Sequence, residues 1–130
     1  MASLLLPDSS FYVTRARSRV DPFLELGTRA PEIELCTCGM VILEVTRGRS
    51  DPNVVRRFRE AFAVMIFIPT ANPIWERAAH LAWSLDRQGV ILPAQDILIA
   101  AHALQAEATV LTFDAHFSSI PGLRVTDRLE

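Results

Sequence analysis

Residues 93–117 read PAQDILIAAHALQAEATVLTFDAHF, and this stretch decides the fold. Ile97 to Leu104 is apolar nearly all round, the pattern of a buried helix, and Asp96 lies in its first turn. Thr109-Val110-Leu111-Thr112 is a short β-branched run, and Phe113-Asp114-Ala115-His116-Phe117 forms the loop at its C-terminal end. A buried helix that feeds a short apolar strand is one unit of a parallel sheet, because both faces of such a strand must be covered.

The same alternation extends in both directions. Downstream, the Ile120-Pro121-Gly122 turn leads to a last short strand near Arg124-Val125. Upstream, a long amphipathic helix is expected from about Pro73 to Gln88, stopped by Gly89, and Met65 to Ile68 reads as a strand. Asp51-Pro52 caps a helix through about Ala63, with Arg56, Arg57 and Arg59 outward. Gly39 opens a short helix, Met40 to Gly48, that embeds Glu44 in an apolar stretch, and Ile33 to Cys38 is the strand before it. Asp21-Pro22 caps a helix over Phe23 to Leu26 with Gly27 as its stop. The first strand, Ser3 to Leu6, is stopped by Pro7, so Asp8 sits at its C-terminal end. The whole is a run of parallel βαβ units in a single domain spanning residues 1–130, without repeats or linkers.

Composition narrows the chemistry. Of the 130 residues 50% are hydrophobic and 22% charged, which suits a soluble domain with a proper core, and no apolar run approaches membrane-spanning length. The start of the chain has no basic region and meets Asp8 soon after three leucines, so it does not read as a signal peptide, and a cytoplasmic protein is expected. Cys36 and Cys38 are too close for a direct bridge, lack a second pair to complete a zinc site, and are expected to be plain buried thiols. All 13 basic residues are arginine, which excludes lysine-dependent chemistry such as a P-loop or a Schiff base.

Four acids remain in chemically sensible places. Asp8 and Asp114 follow strands, where an open α/β sheet binds its ligands. Asp96 has only Ala100 and Ala103 on its face, and Glu44 lies between Leu43 and Val45. Carboxylates in apolar settings are costly unless paired, protonated or bound to a cation, and oxygen-rich sites select Mg²⁺ or Mn²⁺. Each acid also has a plainer reading: Asp8 as a helix cap, Asp96 as a partner of the helix dipole, Glu44 paired with Arg47, Asp114 as a turn residue. The formal net charge of −2 disfavours an anionic partner, but with four of the 15 acids neutralised by metal, 13 bases face 11 acids, a remainder of +2.

These residues resemble the PIN domains, and more closely the small VapC-like toxin ribonucleases of bacterial toxin–antitoxin systems. The resemblance covers almost the whole chain. It is carried by Leu5-Leu6-Pro7-Asp8-Ser9-Ser10, by Val41-Ile42-Leu43-Glu44-Val45 with Arg47-Gly48, and most specifically by Pro93 to Leu104 and Val110 to Phe117 with Ile120-Pro121-Gly122-Leu123. It implies a three-layer α/β/α sandwich, Rossmann-like, with Asp8, Glu44, Asp96 and Asp114 as the catalytic and metal-binding acids. Thr112, with Ser9 or Ser10, matches positions where hydroxyls support the metal or its water. Gln95 and His116 stand where some relatives carry further acids, so one or two ions of Mg²⁺ or Mn²⁺ are expected.

The implied reaction is hydrolysis of RNA by metal-activated water, giving 5′-phosphate and 3′-hydroxyl ends. Arg15 and Arg19, read as one helical turn apart, are candidate phosphate contacts, and equally a solvated face; His116 is either a further phosphate contact or a plain turn residue. The resemblance also implies a homodimer and a small antitoxin protein that blocks the site. The alternative keeps the fold without the chemistry: a PIN-like module that binds nucleic acid or an antitoxin. A phosphoryl-accepting domain fits less well, since a receiver would need a lysine and a haloacid-dehalogenase-type phosphatase an aspartate where Ser10 stands. The RNA target, its cleavage sequence, the dimer surface and the antitoxin are not written in the chain.

Overall fold

The computed structural model describes residues 3–29 and 32–129. Five parallel strands alternate with helices: β1 (Ser3–Pro7), α1 (Ser9–Arg17), α2 (Pro22–Arg29), β2 (Ile33–Cys38), α3 (Gly39–Arg47), α4 (Pro52–Ala63), β3 (Ile66–Ile68), α5 (Asn72–Arg87), α6 (Ala94–Ala106), β4 (Thr109–Leu111) and β5 (Val125–Thr126), with a 3-10 turn over Ala115–Ser119. The strand order is β3-β2-β1-β4-β5. The chain therefore builds outward from β1 to β3, then returns to lay β4 on the other side of β1. Order reverses between β1 and β4, and the region beyond their C-terminal ends is where such sheets bind ligands.

Helix α1 packs on α2 and α3, α3 packs on α4 and α6, and α5 pairs with α6, as the α/β sandwich of the expectation requires. An aromatic cluster of Tyr12, Phe23, Phe58 and Phe62, ring centroids 5.1–6.2 Å apart, locks α1, α2 and α4 together. Helix α6 is the other anchor, with Ile97 to Ala103 entirely buried, as its apolar periodicity predicts. Cys36 and Cys38 are free and buried, and burial pushes the Cys36 thiol up to about 12, so they are inert core groups.

Among the boundaries that differ from those read in the sequence, three have a clear physical reason. Pro7 does not stop β1 before it but is its last residue, in register with Leu111, and the ladder to β4 is carried past it by Asp8 N donating to Leu111 O at 2.9 Å. Gly27 does not stop α2, which runs on to Arg29. Leu26 is buried beside it, and the Thr28 hydroxyl bonds back to Leu24 O at 2.9 Å, so packing outweighs glycine's modest helix penalty. Helix α1 ends at Arg17, and Arg19 takes a left-handed backbone with φ 58°. Arg15 and Arg19 are thus not successive turns of one face. Gly89, with φ 79°, ends the α5 region as expected.

Candidate functional site

Asp8 is the first residue after β1 and the N-cap of α1, accepting from Phe11 N at 3.3 Å. It is only 2% exposed. Ser10 Oγ donates to its Oδ1 at 2.7 Å and Thr112 Oγ1 to its Oδ2 at 2.9 Å. Burial nonetheless pushes its carboxyl up to about 6, against the pull of these three donors, and the nearby Asp96 adds to the rise. The capping role and a place in an acidic site therefore coexist.

Thr112 and Ser10 join the end of β1 to the segment after β4. Their hydroxyls lie 3.1 Å apart; Thr112 Oγ1 accepts from Asp114 N at 2.9 Å, and Ser10 Oγ from Phe113 N at 3.1 Å. The segment after β4 is thereby pinned to the start of α1. Asp114 then caps the 3-10 turn, accepting from His116 N at 2.9 Å, and the His116 imidazole lies against Asp96. Its Nδ1 lies 2.8 Å from Asp96 Oδ2 and 3.1 Å from Asp114 Oδ1. The hydrogen bond with Asp96, helped by the charge of Asp114, raises the pKa of His116 above its ordinary value.

Asp96, Asp114 and His116 are brought close enough to share one ion, with one donor atom of each within 4.8 Å of the others. Asp8 is tied to them through Thr112 and senses Asp96 electrostatically. Glu44 enters from α3: Ser9 Oγ donates to its Oε1 at 2.9 Å, and among the described residues it forms no ion pair with Arg47. Asp96 is not unshielded, as its own helix face implies, because His116 arrives from a different element. Sequence spacing on α6 cannot reveal that contact; the signal available was the Asp114-capped turn two residues before His116.

The expected arginine contacts fare differently. Arg15 Nε bonds Glu25 Oε1 at 2.8 Å, and its guanidinium lies over the Phe113 and Phe11 rings at 5.0 and 5.4 Å. It is thus engaged within the chain, with its side chain part-exposed. Arg19 instead lines a groove of about 630 Å³ with Arg49, Arg57, Asp21 and Phe58.

The family model described as the PIN domain matches residues 5–123 of this chain. Among solved structures, VapBC2 of Rickettsia felis bound to a promoter DNA fragment superposes with a TM-score of 0.79 at 20% identity, covering 95% of this chain and 97% of that one. DNA-bound VapBC of Salmonella typhimurium gives 0.79 at 19%, covering 97% and 98%. FitAcB of Neisseria gonorrhoeae gives 0.73 at 19%, covering 95% and 96%. At these identities the likeness speaks for the fold. No curated protein matches the sequence significantly.

Proposed function

The chain belongs to the PIN domain family, and on that footing we propose that it is a metal-dependent endoribonuclease, the toxin of a toxin–antitoxin pair. The observation that carries the reading is that Asp96, Asp114 and His116 lie within reach of one ion, with Asp8 joined through Thr112 to the Asp114 backbone; Glu44, bonded to Ser9 beside Asp8, is proposed as the fourth acid. Such a set has little reason to assemble without a cation: a carboxyl as buried as Asp8, next to a second acid, is a place where positive charge is stabilising. The donors are mostly oxygens, which suits Mg²⁺ or Mn²⁺.

When bound, the ion would activate water for attack on a phosphodiester and take up charge developing on the phosphoryl oxygens. The chain's own residues supply position. Ser10 and Thr112 fix both oxygens of Asp8, and Ser9 aims Glu44. Asp96 and Asp114 are fixed by a helix start and a capped turn. We assign one tightly held ion to this set, with a second recruited alongside RNA.

The VapBC complexes that share the fold support an antitoxin protein as partner. A homodimer in the cytoplasm completes the reading. No helix among the described residues is long and apolar enough to cross a membrane.

Incubation of purified protein with RNA tests the reaction. Cleavage is expected with Mg²⁺ or Mn²⁺, leaving 5′-phosphate and 3′-hydroxyl ends, and is expected to vanish with chelator and in a folded Asp96→Asn variant. Cleavage that survives chelation, or 2′,3′-cyclic phosphate products, would overturn it. RNA binding without cleavage would return the chain to a binding module. For the toxin role, induced expression should arrest bacterial growth, and co-expression of an adjacent antitoxin frame should release it.

A further inference from the structure

His116 presents one ring nitrogen to two carboxylates at once. Nδ1 lies 2.8 Å from Asp96 Oδ2 and 3.1 Å from Asp114 Oδ1. A ring nitrogen carries at most one proton, so as a hydrogen-bond donor it satisfies only one of these oxygens well. As the edges of a coordination shell the distances fit better, since cis donors around an octahedral ion with bonds of ~2.1 Å are about 3.0 Å apart. The turn that holds the imidazole there is itself built by Asp114, through its bond from His116 N. The contact is thus part of the local backbone design rather than a chance meeting of exposed side chains.

We infer that His116 Nδ1 is a ligand of the divalent ion together with Asp96 and Asp114, which makes this a mixed nitrogen–oxygen site that binds Mn²⁺ in preference to Mg²⁺. The inference rests on the metal-dependent reading above. Mg²⁺ demands oxygen donors and sheds its waters reluctantly, whereas first-row transition ions accept imidazole readily. Mn²⁺ is the weakest binder of that series, so it is the most demanding probe of a nitrogen ligand.

The test is pulsed electron paramagnetic resonance of the full-length protein loaded with Mn²⁺, without RNA, alongside a competition titration between Mn²⁺ and Mg²⁺. Directly bound ¹⁴N modulation is expected in the wild type, changed by ¹⁵N-histidine labelling, lost in His116→Ala and His116→Asp, and kept in His80→Ala. The Mn²⁺ preference over Mg²⁺ should fall by an order of magnitude in His116→Asp, which retains a ligand at that position but an oxygen one. Mn²⁺ that binds in an Asp96-dependent way without nitrogen modulation would overturn this inference and leave the nuclease reading standing. Failure of Mn²⁺ to bind, or binding indifferent to Asp96→Asn, would overturn both.

Discussion

Thr112 Oγ1 donates to Asp8 Oδ2 at 2.9 Å, joining residues 104 positions apart across the point where strand order reverses. The same oxygen accepts from Asp114 N at 2.9 Å. One hydroxyl therefore sets the spacing between the acid that ends β1 and the acid that follows β4. Thr112→Val keeps the β-branched shape but removes the donor. Groups of this kind, which orient a metal's ligands, typically change affinity or activity by roughly 10–100-fold. A loss in that range is expected in Mn²⁺ affinity and in RNA cleavage, with the fold retained by circular dichroism; an unchanged affinity would refute the role.

The burial of Asp8 has a signature in the pH dependence of the metal-free protein. Its carboxyl is pushed up from 3.8 to about 6. Between those values the folded state holds more protons than the unfolded chain, so stability falls as pH rises through this window and levels off above it. A shift of about two units corresponds to roughly 3 kcal/mol at an almost fully buried group. Asp8→Asn preserves a capping side chain and removes the charge. In chelator it should be more stable than wild type at neutral pH, the gap closing as pH approaches the unfolded value. Denaturant titrations of both proteins check this, and a pH-independent gap contradicts it.

Ser9 is the link between the first acid and Glu44, with its hydroxyl 2.9 Å from Oε1. Both groups are half-buried, so the bond's net stability is modest, about 1 kcal/mol. Its weight should lie in aim rather than in stability. Ser9→Ala is expected to lower cleavage about tenfold, with little change in melting temperature. A large drop in melting temperature with unaltered cleavage of the folded fraction would show that the bond is only structural.

Arg15, a candidate RNA contact, has partners within the chain. It bonds Glu25 and lies over Phe113 and Phe11, joining α1, α2 and the loop after β4. Arg15→Ala should cost about 1 kcal/mol of stability, through a lost partly buried ion pair and cation–π contact. The salt dependence of RNA binding should not change, since that slope counts phosphate contacts. A slope reduced by about one unit would restore Arg15 to the RNA interface.

What sequence alone reveals divides along a physical line. Signals written within one turn of backbone were legible: the Asp51-Pro52 start of α4, the positive-φ Gly89, the all-round apolar face of α6. Asp8 and Asp114 were legible because a strand's end places the next side chain at a known edge of the sheet. Contacts between elements were not. Gly27 stays helical because Leu26 is buried by other helices, and Asp96 meets His116 only because a capped turn from another strand bends over it. Arg19 looked periodic with Arg15 until the helix ended two residues short of it.

His102, at the centre of the most buried helix, sets a second pH dependence of opposite sign. It is fully buried; Nδ1 lies 2.7 Å from Leu98 O, a carbonyl that only accepts, so Nδ1 carries the proton. Nε2, 2.7 Å from Thr70 Oγ1, is then the acceptor, and the hydroxyl donates. Both nitrogens of the neutral ring are thus satisfied, and burial lowers its pKa below the ordinary 6.5. Below that value the unfolded chain takes up a proton that the folded protein resists, so this contribution to stability is complete above pH 6.5 and is lost as pH falls. The gap between wild type and His102→Gln should therefore narrow on acidification from about pH 7.5 to about pH 5, a range in which His102 alone of the two buried titrating groups favours high pH. Thr70→Val leaves Nε2 without its donor and should cost about 1–2 kcal/mol at neutral pH. A gap that stays constant means that the fold leaves the pKa of His102 unshifted, and one that widens on acidification means that the histidine is protonated in the fold; either result overturns the neutral assignment.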